Sequence, residues 1–427
     1  MRGARGQFLG NTGWILCERV LHMGLTLVTT SLTLRYLGAA AAGRIDYGAS
    51  FVTVFTILSK LGLDSILVNE ILQGHQPAGR LVGTTIGLRL LSAILSVGMI
   101  ALAVAVLRPG DRDIWLIAVI QSATLLPVAL DSIDYYFQSR LQSRYTALAK
   151  LIAFLLVCGF RLLLIWLRAD VYWFALAAVI DATFVGACLW LFYRRRGERL
   201  RFSLDTARHL LPRSAPFILS ALLVTLYTQM DSIMLGSLAA GEPERAIGLY
   251  NAAAKVCNMW VFVPLALIDS ARPLVMEKKG VDEGAYITRY RRLYAAVIWL
   301  GLAAAVGISL LSRFIIGVIA GDDFAGAVPV LQVLIWARLF AVMGTTRGIW
   351  MVCEGQSRLV VIFAAVGAVM NFALNFALIP ALGAMGAAVA TLATEFGVSV
   401  ILPLCFKPTR PLAKLMGEAA LFKGLKN

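Results

Sequence analysis

Apolar residues run along this chain in blocks closed by short polar stretches, and the blocks match the roughly 20 residues a helix needs to cross the hydrocarbon core of a bilayer. They predict helices at 10–36, 46–72, 81–107, 114–138, 146–167 and 171–193, and a second set at 215–238, 246–275, 290–319, 325–353, 358–379 and 383–405. The expected fold class is therefore all-α, a polytopic membrane protein of twelve transmembrane helices. The longest polar connection, Arg194 to Arg213, separates two groups of six. This predicts a six-helix bundle over 1–193, a basic linker over 194–214, a second bundle over 215–406 and a tail over 407–427. In the tail, Leu412, Leu415, Met416, Ala419 and Phe422 fall at helical spacing beside Lys414 and Lys423, the pattern of a helix lying on a membrane surface. Ala39-Ala40-Ala41 has the look of a signal-peptidase site, but the segment before it is too long for a signal peptide and carries Glu18 and Arg19, so no cleavage is expected there.

Polar residues inside these blocks break the pattern most clearly between Ser214 and Asp269. Gln229, Asp231 and Lys255 lie about half a helix from the ends of their segments, where a charge costs at least about 2.5–3.5 kcal/mol. Such groups need partners or water, and they mark either a substrate or ion pathway or polar packing between helices.

Composition agrees with the pattern: 59% of the 427 residues are hydrophobic and 15% charged, with a mean hydropathy of +0.80. The formal charge of +15 would suggest nucleic acid in a soluble chain, but here it collects at one set of helix ends, so no nucleic-acid partner is expected. Six cysteines sit apart inside apolar segments, the three histidines are scattered, and no Gly-rich phosphate loop is present. No metal, nucleotide or other cofactor is expected.

Lys and Arg crowd the flanks on the side of the N-terminus, including Arg80, Arg140, Arg144, Arg194–Arg196 and Lys278–Lys279, whereas the opposite flanks hold only Arg44, Arg108, Arg112, Arg168 and Arg245. By the positive-inside rule both termini face the cytoplasm. The charge run of the Arg194 to Arg213 connection reads first as a solvated linker and second as an anionic-lipid contact. Other basic residues are embedded. Arg35, Lys150, Arg272 and Arg313 can snorkel to an interface, but Arg19, Lys60, Arg89, Lys255 and Arg338 lie deeper. Embedded acids are Glu18, Asp64, Asp131, Asp134, Asp181, Asp231, Asp269 and Glu395. Lys60 with Asp64, and Asp269 with Arg272, are spaced to neutralise each other on one helix. The deep cations suit either structural pairing or a wet cavity that receives an anion such as a phosphate.

The halves also match each other. A shift of 205 residues superposes Gly43 on Gly248 and Leu63-Asp64-Ser65 on Ile268-Asp269-Ser270, and a shift of 214 superposes Gln142-Ser143-Arg144 on Gln356-Ser357-Arg358 and Asp181 on Glu395. Two units with an even number of helices keep one orientation, so they are expected to be pseudo-symmetric about an axis along the membrane normal. The matched carboxylates Asp64 and Asp269, Asp181 and Glu395, with Asp231, are candidate ion-coupling residues, Asp269, Asp231 and Glu395 ahead of Asp64.

Several runs carry a resemblance: Asp231-Ser232-Ile233-Met234-Leu235-Gly236, Ile247-Gly248-Leu249-Tyr250-Asn251 through Lys255, Asn371-Phe372-Ala373-Leu374-Asn375 through Pro380, Leu382-Gly383-Ala384-Met385-Gly386, and Arg35-Tyr36-Leu37-Gly38 with Gly43. Together they resemble polysaccharide (Wzx-type O-antigen) flippases of the multidrug, oligosaccharidyl-lipid and polysaccharide exporter superfamily. The resemblance implies two bundles forming a V around a central cavity, and a flippase that moves undecaprenyl-diphosphate-linked sugar units of O-antigen or another surface polysaccharide. Transport would run from the cytoplasmic to the periplasmic leaflet of the bacterial inner membrane by alternating access. It implies the lipid-linked glycan and membrane lipids as partners, with the polymerase and chain-length machinery of lipopolysaccharide biosynthesis as further ones. On this reading Arg19, Lys60, Arg89, Lys255 and Arg338 receive the diphosphate or acidic sugars. The related lipid II flippases typically carry two further C-terminal helices, which lowers a peptidoglycan-precursor role for a chain that ends after twelve. Asp64, Asp231 and Asp269 keep a cation-coupled multidrug antiporter open. A membrane polymerase or glycosyltransferase is the remaining alternative, but it calls for a large outward loop that the pattern lacks, so no enzyme is expected.

Overall fold

A computed structural model describes the backbone of residues 2–421, and the side chains of residues 24–421 apart from Ser65, Pro216, Ser220 and Leu223. Among the described residues there is no strand. The helices are α1 (Arg2–Lys60), α2 (Asp64–Gln73), α3 (Ala78–Leu107), α4 (Arg112–Ser139), α5 (Arg144–Trp166), α6 (Val171–Arg196) and α7 (Leu204–Leu238). They continue with α8 (Pro243–Met276), α9 (Glu283–Ile319), α10 (Ala327–Cys353), α11 (Ser357–Leu382), α12 (Ala384–Cys405) and α13 (Arg410–Ala420). Among the described residues ten of these, α3 to α12, are long and apolar enough to cross a membrane. Their outer faces show why the chain needs lipid: on α3, Leu91, Leu95, Leu102 and Val106 line one side and are all at least 60% exposed.

From residue 78 onward each predicted segment falls on a helix. The first two differ from expectation, because α1 runs through 37–45 and is broken only at Gly38, whose φ of 72° takes one residue out of the helix. The segment expected over 46–72 is interrupted by Leu61 and Gly62, with φ of 54° and 57°, before α2 resumes at Asp64. In α12 a π turn at Gly397–Ile401 adds a residue to the helical repeat.

The chain forms two compact units, residues 1–37 with 44–229, and residues 38–43 with 230–427. In the first, Ile133, Tyr136, Phe137, Leu189 and Tyr193 form a buried cluster between α4 and α6. The basic linker is tied to this unit: the Glu198 carboxylate accepts the Gly79 N–H at 2.9 Å, the Arg201 N–H donates to the Gly79 carbonyl at 3.2 Å, and α7 already begins at Leu204. In the second unit, Tyr286, Tyr290 and Tyr294 repeat every four residues along α9 and pack with Trp350 and Phe363. Leu412 and Met416 of α13 join that cluster, and Glu418 pairs with Arg291 at 2.9 Å. Phe422, expected on the same face, lies outside the described residues.

Two contacts organise the second unit around residues 38–43. After the break at Gly38, the Ala39 N–H has no carbonyl one turn back, and the Asp323 carboxylate accepts it at 2.6 Å while receiving Arg245 at 2.8 Å. Four residues on, α1 crosses α8 so closely that a Cβ on Gly43 would strike the Glu244 carbonyl, and one on Gly248 would strike the Ala39 carbonyl. The shift of 205 that aligns Gly43 with Gly248 also aligns Ala39 with Glu244. The crossing is thus reciprocal: each glycine meets the residue matched to the one that faces its own counterpart.

Gly43→Leu or Gly248→Leu should destabilise the protein by at least the ~1–3 kcal/mol typical of overpacking, read as a lower melting temperature in detergent. Gly98→Leu, in open space, should leave it unchanged. The Ala39 N–H, with Arg245 behind it, holds the Asp323 carboxyl below the usual carboxylate range, while partial burial pulls the other way. A depressed folded pKa gives stability that is present above the unfolded value of ~3.9 and lost as pH falls through the folded one. Asp323→Ala should therefore lower the melting temperature at pH 7, and the gap from wild type should close on acidification below about pH 4.

Candidate functional site

One cluster of buried polar and charged groups stands out in each unit, and the clusters differ in how charge is balanced. In the first unit, Lys60 ends the long helix α1 and Asp64 opens α2, the two being held apart by the Leu61–Gly62 break. The expected Lys60–Asp64 pair does not form. Lys60 Nζ instead meets Asp131 of α4 at 3.0 Å, and Asp64 pairs with the Arg89 guanidinium of α3. Tyr135, one turn beyond Asp131, hydrogen-bonds Asp64 and places its ring 5.6 Å from the Arg89 guanidinium carbon. Two cations and two carboxylates therefore cancel. The acids that meet these cations arrive from neighbouring helices rather than from the same turn.

Arg89 is fully buried, while Asp64 stays about a third exposed. Its Nε and Nη1 are buried with no hydrogen-bond partner, so one carboxylate carries the whole guanidinium. Asp64→Ala should destabilise the protein by up to about 3–5 kcal/mol, because arginine cannot shed its charge. An Asp64→Ala/Arg89→Met double variant should recover most of the loss, measured by thermal unfolding in detergent.

In the second unit, the polar centre on α7 gathers donors from three helices. Asp231 is buried, 5% exposed. Its Oδ1 accepts from Asn375 Nδ2 of α11 at 2.7 Å, and its Oδ2 accepts from the Tyr250 hydroxyl of α8 and from Thr391 Oγ1 of α12 at 2.9 Å. Asn375 Nδ2 also donates to Asn371 Oδ1 at 3.0 Å. The Thr391 hydroxyl has a second acceptor, the Ala387 carbonyl at 2.9 Å, and one proton to divide between them. Asn375 Oδ1 is buried without a hydrogen-bond partner. Beside this network Ser232 and Asn251 bond each other at 3.1 Å. The Arg338 guanidinium acts electrostatically on Tyr250 and Cys257, and its Nε is buried and unpartnered.

Chemically, this is one carboxylate ringed by hydroxyl and amide groups that can each turn an oxygen inward. Such a site, with a single negative charge, suits a proton or a monovalent cation. Divalent cations take more carboxylates, and among the described residues no three His, Cys, Asp or Glu side chains converge.

The remaining predicted residues are dispersed. Asp269 and Arg272 are exposed on α8, with no ion pair between them. Lys255, Asp181 and Glu395 are half-buried and engaged in interactions of their own; Asp181 shares its surroundings with Arg161. The Arg19 side chain lies outside the described residues. Tyr250, Asn371, Asn375 and Thr391 were not expected as site residues, although Asn371 and Asn375, one turn apart within an apolar helix, were a visible signal for a buried polar face.

The profile of the polysaccharide biosynthesis protein family matches residues 8–271, more than half of the chain. The chain belongs to this family. A relative 24% identical over 398 residues, covering 91% of this chain and 81% of its own length, is a probable low-salt glycan biosynthesis flippase of Haloferax volcanii. Two solved structures share the fold. The lipid II flippase MurJ in an inward closed conformation superposes with a TM-score of 0.74 at 13% identity, over 95% of this chain and 90% of that one. An inward-facing multidrug resistance MATE family transporter of the MOP superfamily does so with a TM-score of 0.70 at 14% identity, over 92% and 96%. The Asp231 network thus sits within a multi-helix fold that those two structures share.

Proposed function

We propose that this protein is a flippase that carries a polyprenyl-diphosphate-linked oligosaccharide across a membrane, driven by a proton or monovalent cation that binds at Asp231. The observation that carries the reading is the Asp231 network: a buried carboxylate met by neutral donors from α8, α11 and α12 in a protein whose helices are built for a bilayer. Neutralising that charge changes which of these donors it can hold, and so links ion binding to the packing of four helices. Family membership and the glycan flippase relative support the cargo. The finer reading is an undecaprenyl-diphosphate-linked surface-polysaccharide unit moved outward across the bacterial inner membrane by alternating access.

Among the candidate anion ligands, Arg338 stands ahead of Lys60 and Arg89. Among the described residues no carboxylate lies within 4 Å of it, whereas Asp131 and Asp64 already meet the other two. Lys255 and Arg19 complete the proposed set, and Asp269, Glu395, Asp181 and Asp64 rank below Asp231 for coupling.

In vesicles loaded with a fluorescent lipid-linked oligosaccharide, the wild type should flip it at a rate that follows an imposed proton or sodium gradient. Asp231→Asn should abolish that gradient dependence while still binding the lipid. Wild-type gradient dependence in Asp231→Asn would remove Asp231 from the mechanism, and flipping of a cationic dye but not of the glycan lipid would favour a multidrug antiporter. Orientation is tested separately: a reporter active only in the cytoplasm should work after Asn427 and fail near Gly110 or Glu242, as the Lys and Arg asymmetry requires.

A further inference from the structure

At the end of the first unit where α4 and α6 finish and α5 begins, a group of arginines is left without counter-charges. The ring of Tyr145, at the start of α5, is braced by Phe137 at 5.3 Å and Phe192 at 5.5 Å. Two guanidinium groups sit against it: Arg144 and Arg196 each place their guanidinium carbon 4.9 Å from its centroid. Arg144 Nη2 also donates to the Tyr145 hydroxyl at 2.9 Å. Both arginines are exposed, and among the described residues neither has a carboxylate within 4 Å. Arg194, Arg195 and Arg199 lie close to Arg196 in the sequence and are exposed as well. The one acid of the group, Glu198, is already taken by Arg140 at 3.0 Å and by the Gly79 N–H.

Two like charges brought to one ring repel, and the attraction of each for the ring face offsets that only in part. A group carrying negative charge and several acceptor oxygens, placed between them, would satisfy both.

Next to the arginines the surface turns apolar. On α5, Leu148, Ile152 and Leu155 follow Arg144 at four, eight and eleven residues and are exposed, so they share its face. On α6, Leu191, Trp190 and Phe184 precede Arg194 by three, four and ten residues, also exposed. An indole near a charged helix end is the usual anchor at the boundary between headgroups and acyl chains. The two helices therefore present a charged end continuous with an apolar wall.

We infer that this face binds an anionic phospholipid, with its phosphate held by Arg144 and Arg196 across Tyr145 and its acyl chains laid along Leu148, Ile152 and Leu155 of α5. The charge of the patch selects the anionic headgroup, and the apolar wall selects a lipid over a free phosphate.

The test uses the purified full-length protein in detergent and native mass spectrometry with added phosphatidylglycerol, phosphatidylcholine or inorganic phosphate. Phosphatidylglycerol should be retained in preference to phosphatidylcholine, and millimolar phosphate should not displace it. The Arg144→Gln/Arg196→Gln double variant should bind phosphatidylglycerol about tenfold or more weaker, with an unchanged melting temperature. Arg358→Gln, an exposed arginine of the second unit, should bind as wild type does. If the double variant does not fold, the two single variants serve in its place, each with a smaller loss. Retention unchanged in the variants, equal retention of phosphatidylcholine, or full displacement by inorganic phosphate overturns the inference.

Discussion

A carboxylate within a bilayer-spanning helix has no water to fall back on, and the second unit is arranged around meeting that constraint at Asp231. Its oxygens draw a phenol from α8, an amide from α11 and a hydroxyl from α12, so four helices share one group. Two of the donors also have a place of their own: Asn375 is held by Asn371 and Thr391 by the Ala387 carbonyl. None of the three direct donors carries a charge. The network therefore orients the carboxylate without a direct ion pair, with the Arg338 guanidinium acting on Tyr250 from beside it. The first unit solves the same problem differently, by pairing Lys60 with Asp131 and Arg89 with Asp64. A paired site resists change, whereas a carboxylate held by neutral donors can respond to an arriving cation.

Most of the helical layout was legible in the sequence, because an apolar block of span length has few alternatives once every backbone group must be bonded internally. The ends that were missed share a cause. Helix 39–60 does not begin with a recognisable cap of its own; its first N–H is satisfied by Asp323, 284 positions away. The stop at Leu61–Gly62 depends on a backbone conformation that a run of apolar residues does not announce. The basic linker looked solvated because its composition is charged, yet the Glu198 carboxylate and the Arg201 N–H both bond the backbone of Gly79, a contact that residue types do not report.

The site was half legible for a related reason. Asp231 stood out because a carboxylate in mid-helix is expensive whatever surrounds it. Its partners stood out less: the Asn371–Asn375 spacing marked a buried polar face, but Thr and Tyr are common in membrane helices and gain meaning only when three helices converge. The same limit misassigned Lys60 and Asp64 to each other: spacing on one helix names the nearest acid in sequence, and a break between them hands each to a different neighbour. The match of Gly43 with Gly248 was more informative than any charge, because both glycines occur at the single crossing where α1 and α8 meet backbone to backbone.

The central claim is that Asp231 takes up and releases the coupling ion, and infrared difference spectroscopy of the purified protein reports on it directly. Exchanging sodium for a bulky organic cation, or stepping the pH, should produce a carboxylate band in the wild type, accompanied by a tyrosine band from Tyr250. Asp231→Asn should lose both, while Asp269→Asn, a change on an exposed face of α8, should keep them. Identical difference spectra for the wild type and Asp231→Asn would contradict the account.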